Sequence, residues 1–222
     1  MMIERGFDGF PVGGITFLQE LMENNNRPWF AQNRARYKDA LEAPAKLFLS
    51  EVERELMRCF DEAFTGKIFR LHRDLRFSKD KTPYNSHLRM AFFPGGDAHA
   101  GQGFYFSLEP EGFVLGGGAT GFSPSGLDRF RHQLLDQTQG PAIDSLVSGL
   151  VQNGYRLEPA ELKRVPAGFE KDHPHAPLLR RKSLTLWRDF TGHQGLIGRG
   201  AVGFCMKVFQ ELHPLLRFLN AP

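Results

Sequence analysis

The 222 residues carry 28 Lys or Arg against 25 Asp or Glu, a formal charge of +3, and 41% are hydrophobic. That balance is ordinary for a globular chain, argues against disorder, and gives no support by itself to a nucleic-acid or membrane partner. Cys59 and Cys205 lie far apart in helix-like surroundings and offer neither a disulfide framework nor metal-ligand spacing. The first 14 residues contain no apolar run of the signal-peptide kind, and no segment has the length to cross a bilayer. We therefore expect a cytoplasmic protein with no membrane association. With 21 Phe against 4 Tyr and 2 Trp, its core should be built on phenylalanine.

In chain order, Ile15 to Glu23 places Phe17, Leu18, Leu21 and Met22 at helical spacing. Asn24-Asn25-Asn26 ends that helix, and Asn26 is suited to cap a second with Pro28 in its first turn. The second helix is predicted to run to about Glu42 with Trp29, Phe30 and Tyr37 as packing residues. A third is predicted from Pro44 to about Phe60. Period-two alternation then predicts strands over Lys67–His72 and His87–Phe93. Phe104–Leu108 and Phe113–Gly118, joined at Pro110-Glu111-Gly112, read as a hairpin. Ser123-Pro124 opens another helix, and one more runs from about Pro141 to Asn153. Residues 163–177 are rich in Pro, Gly and His and read as a long surface loop. A last strand over Lys182–Phe190 and a closing helix over Val202–Leu219 complete the chain.

Helices first, strands in the middle and helices last is an α+β order. The predicted architecture is N-terminal helices, a central mainly antiparallel sheet, and C-terminal helices packed on it. We read residues 1–222 as one domain, the alternative being a separate C-terminal helical subdomain over 141–222.

The segment with most chemistry is Phe69 to Tyr84. The window from Lys67 to Arg89 holds seven cations and two acids, +5 in a chain of +3, so the positive charge is local. Arginine suits bidentate contact with carboxylate or phosphate, and lysine adds a point charge. The candidate site is accordingly Arg70, Arg73, Asp74, Arg76, Ser78, Lys79, Lys81 and Tyr84. The alternative is a solvated loop in which Asp74 pairs internally with Arg73 or Arg76. Phe77 and Tyr84 are expected to anchor the loop to the core. His72, beside Asp74, is the histidine best placed for acid–base work, with the sign of its shift left open.

Gly116 to Gly121 formally satisfies G-x-G-x-x-G, but its strand belongs to an antiparallel hairpin, so a dinucleotide site is not expected. Gly117 and Gly118 are instead candidates to face the cationic loop across one anion pocket, with the helix start at Ser123 nearby. Asp172-His173-Pro174-His175 is read as surface histidines, and no metal or cofactor is predicted.

Asn24 to Phe30, Arg73 to Tyr84 and Gly116 to Gly118 together resemble an uncharacterised family of microbial and fungal proteins, domain of unknown function 2461. The resemblance extends from about Phe17 to the closing helix. Asn85 stands where a basic residue is common in that family. The resemblance implies a cytoplasmic single-domain protein and supplies no reaction, cofactor or substrate. The functional expectation is thus an anionic, phosphate-bearing small molecule bound at the Arg70–Lys81 loop, with or without catalysis. Nucleic-acid binding through the same loop is the first alternative, and a structural or interaction protein without ligand the second.

Overall fold

The computed structural model describes residues 6–95 and 101–220. Its elements follow the predicted order. α1 (Val12–Glu23) is followed by α2 (Arg27–Gln32), whose first turn is capped by Asn26 accepting from the Trp29 backbone N–H at 2.9 Å. The predicted single helix to Glu42 is interrupted at Asn33. Both the backbone N–H and the side-chain amide of Asn33 donate to the Trp29 carbonyl, which closes α2. α3 (Arg34–Tyr37) then runs through a π-helical turn (Lys38–Glu42) into α4 (Ala43–Phe60).

β1 (Phe64–Ile68) lies earlier than the predicted strand over 67–72. The alternation seen in the sequence spans two different pairings. Through Phe69 the chain pairs with β2, whereas Leu71 to Arg73 pairs with Pro83 to Asn85 inside the cationic loop. β2 (Leu88–Pro94), β3 (Gln102–Leu108) and β4 (Gly112–Ala119) are followed by α5 (Pro124–Leu135) and α6 (Gln139–Gln152). A two-residue strand, β5 (Arg156–Leu157), had no sequence signal. After it come α7 (Ala176–Leu179), β6 (Leu184–Thr191), a 3₁₀ turn (Gln194–Leu196) and α8 (Ala201–Asn220). His175 is not the surface histidine expected of the 163–177 segment: it is 8% exposed, tucked under α7.

The six strands form one antiparallel sheet in the order β1-β2-β3-β4-β6-β5. Because side chains alternate across a sheet, each strand divides its residues between two faces. Leu88, Met90, Phe92, Phe104, Phe106, Leu108, Phe113, Leu115, Leu184 and Leu186 enter the main core with the buried residues of the helices. Phe209 of α8 stacks on Phe104 at 4.8 Å, and Phe48 of α4 meets Phe106 at the same distance. Each such ring, fully buried, contributes about 1.5–3 kcal/mol. This cluster runs from Phe7 to Leu219, so both ends of the chain share it. The opposite face carries only a small cluster, Ala91, Phe93 and Tyr105 with Trp187, to which no helix residue belongs.

Candidate functional site

The cationic loop is held together largely by its own charges. Arg73 donates to Asp80 at 2.5 Å, to the Thr82 carbonyl at 3.2 Å, to the Thr82 hydroxyl, and to Ser78 Oγ at 3.3 Å. The Thr82 backbone N–H and the Arg73 guanidinium hold the Asp80 carboxyl down at about 2. Arg76 pairs with Asp74 in the solvent, through Nε at 3.0 Å and Nη2 at 2.6 Å. Lys81 Nζ donates to the Leu75 carbonyl at 3.0 Å. Lys79 is exposed and makes no hydrogen bond among the described residues.

Tyr84 is buried, stacked on Phe30 at 4.1 Å, and its backbone exchanges two hydrogen bonds with the Asn25 side chain. The Asn-rich turn and the loop motif thus belong to one joint, in which Tyr84 is the anchor. Phe77 is not an anchor; it is 96% exposed at the loop tip.

Arg70 is the member of the predicted set that leaves this network. It turns onto the open face of the sheet, where a cleft of about 720 Å³ is lined by Arg70, His72, His87, Arg89, Tyr105 and Trp187, among others. The strand registers place its residues in rows. One row across the sheet reads Phe69, Arg89, Ser107, Val114, Asp189 from β1 to β6; the next reads Lys67, Ala91, Tyr105, Gly116, Trp187, Arg156. Gly116 allows the second row to form, because a Cβ there would run into the Trp187 ring. Trp187 therefore lies down across β4, 5.5 Å from the Tyr105 ring, and the two aromatics make the floor of the cleft.

Just beyond the Leu88–Leu108 end of the β2–β3 ladder lie His87 and Glu109, which also line the cleft. Ser107 donates to Glu109 at 2.6 Å, and His193 fixes the Glu109 carbonyl through Nε2 at 2.8 Å. Burial, reinforced by Arg89, lowers the His87 pKa, and its Nε2 is buried without a hydrogen-bond partner among the described residues. On the far side, Arg156 is taken up by Asp189 at 2.8 and 3.0 Å and by Glu158. Arg70 and Arg89 have no carboxylate within 4 Å among the described residues, although Arg70 adds to the lowering of the Asp74 pKa.

The two glycines do not join the loop. Gly117 faces the helices, where a Cβ would press on Leu212 and Phe104. Gly118 lies against the Leu184 carbonyl in a left-handed conformation, φ 129°. β4 is antiparallel to both neighbours, and Ser123 caps its own helix through the Gly126 N–H at 3.1 Å. Of the ten predicted residues, the structure brings Arg70 to the cleft, ties Arg73, Asp74, Arg76, Ser78 and Lys81 into the loop, and buries Tyr84 beneath it. Reasoning from sequence missed His87, Arg89, Tyr105, Ser107, Glu109 and Trp187. Arg89 between Leu88 and Met90 was the one local signal, a cation on the outward phase of an otherwise apolar strand.

Among the described residues no three of His, Cys, Asp and Glu are grouped to hold a metal, and no helix is long and apolar enough to cross a membrane. The model of the family described as conserved hypothetical protein (DUF2461) matches residues 14–218. The chain belongs to this family. Among curated proteins no relative matches it. For this DUF2461 chain the match covers every strand, the cationic loop and all the cleft residues named above.

Proposed function

We propose that this protein binds a small molecule combining an anionic group with a flat ring, on the open face of its sheet. Arg70 and Arg89 take the anion, and the Trp187–Tyr105 floor takes the ring. The observation that carries the reading is the pairing pattern of the arginines. Of the three arginines that line the cleft, Arg156 is matched to Asp189 and Glu158, whereas Arg70 and Arg89 have no carboxylate within 4 Å among the described residues. Crowded cations repel one another unless an anion offsets them, so a phosphate or carboxylate is the complement. The cleft volume of about 720 Å³ suits a ligand of nucleotide size. Glu109, Glu158 and Asp189 around the same face disfavour a long polyanion such as a nucleic acid, which would meet their charge.

Calorimetric titration with adenosine 5′-monophosphate, adenosine and inorganic phosphate tests this. The nucleotide should bind more tightly than either fragment, and an Arg89→Met variant should lose at least about tenfold, the worth of one charge-assisted contact. Equal affinity for adenosine and its phosphate, or affinity unchanged by Arg89→Met, would contradict the reading.

A further inference from the structure

Beyond Trp187 the cleft continues into a smaller recess of about 190 Å³, lined by Thr120, Glu158, Arg181, Ser183, Thr185 and Trp187. Two of these side chains are costly as they stand. Arg181 is 8% exposed, its Nε is buried without a partner, and among the described residues its guanidinium donates no hydrogen bond. Thr185, 6% exposed on the open face opposite Gly118, buries a hydroxyl with no partner either.

Neither nearby acid hydrogen-bonds or ion-pairs with Arg181 among the described residues. Glu161 accepts from the Lys182 N–H at 2.9 Å and from the Ser183 hydroxyl, and Glu158 is paired with Arg156. Burial lowers the Arg181 pKa, with Glu161 opposing and Arg180 adding to the effect. Leaving a buried guanidinium N–H and a buried hydroxyl unsatisfied costs free energy in any fold. Such groups persist where a ligand completes them.

We infer that Arg181 and Thr185 form a second anion subsite, so that the molecule held on the sheet face carries an anionic group at each end and its flat part across Trp187. This inference rests on the sheet-face reading and deepens it by naming the substrate class, an elongated bis-anion. Arg89 and Thr185 are three strands and four residues apart in the register, roughly 20 Å between backbones at standard strand spacings. Arg89 lines the larger cleft and Arg181 the recess at the other end. A compact mono-anion engages one end; a rigid bis-anion engages both.

The probes are biphenyl-4-carboxylate and biphenyl-4,4′-dicarboxylate, titrated by calorimetry into the full chain and into Arg181→Met, Thr185→Val and Arg89→Met variants. The dicarboxylate should bind at least about tenfold tighter than the monocarboxylate, the worth of one charge-assisted contact. Arg181→Met should remove most of that preference and leave monocarboxylate binding unchanged. Thr185→Val, nearly isosteric, should remove part of it. Equal affinities for the two acids, with both lost in Arg89→Met, would overturn the second subsite while sparing the first. A fall in both affinities together in Arg181→Met and Thr185→Val would show the pair to be structural and also overturn it. If neither acid binds, both readings fall.

Discussion

Replacing Arg73 by methionine separates a loop arginine that holds structure from one that holds ligand. Its side chain is 23% exposed and its partner Asp80 60%. Removing the guanidinium deletes donors to Asp80, the Thr82 carbonyl and hydroxyl, and Ser78. Asp80 keeps the Thr82 N–H at 2.9 Å and is open to water, so no carboxylate is stranded in the interior. The loss is therefore that of charge-assisted hydrogen bonds discounted for solvent, about 1–2 kcal/mol rather than the cost of a broken buried pair. For a chain of this size that corresponds to a melting-temperature fall of roughly 2–8 °C. Differential scanning fluorimetry with a urea midpoint reads it directly. Arg76→Met, which breaks a pair lying wholly in solvent, should shift the same midpoint by less than about 1 °C. Affinity for adenosine 5′-monophosphate should fall in neither variant by more than about threefold, less than the tenfold worth of one direct contact. A stable Arg73→Met protein that no longer binds the nucleotide would refute the assignment, because the charge would then be serving a ligand.

Tyr84→Ala should cost about 3–4 kcal/mol by emptying the stack on Phe30, and urea unfolding should show it with the slope unchanged. Gly116→Val should displace the Trp187 ring and change its fluorescence while leaving the helix-side core intact, which far-UV circular dichroism would check. His87 and His213 both have lowered pKa values, chiefly through burial, so the unfolded chain binds more protons than the folded one as pH falls below about 6.5. Stability should decline between about pH 7 and pH 5, before the carboxylates titrate, and His87→Gln should flatten part of that slope. An unchanged slope in that variant would show that His87 titrates alike in both states.

The architecture was legible because its signals are local. Asn26 and Ser123 cap the helices they were expected to cap, and the Pro110–Gly112 turn sets the β3–β4 register. What misled was alternation shared between two partners: Lys67 to His72 looks like one strand and is the end of one ladder and the start of another. The site was only half legible. A run of cations reports charge density but not its pairing, and Asp74 and Asp80 each take up one of the loop's arginines from within. The cleft residues are distributed from Phe69 to Trp187, with β2, β3, β4, β5 and β6 all contributing. Only strand registers bring them into rows, and the register between β4 and β6 is a long-range property no local pattern encodes. Gly116 marked the position, but a glycine does not name the ring that lies over it.

The most direct test of the sheet-face reading uses Trp187 itself as reporter. Trp29, half-buried on Phe17, is the other tryptophan, so a Trp29→Phe protein leaves a single emitter on the cleft floor. Adenosine 5′-monophosphate should change that emission saturably, with the midpoint moved at least about tenfold by Arg89→Met. Saturable calorimetric binding with no change in Trp187 emission, or a midpoint indifferent to Arg89, would place the ligand elsewhere and contradict the account.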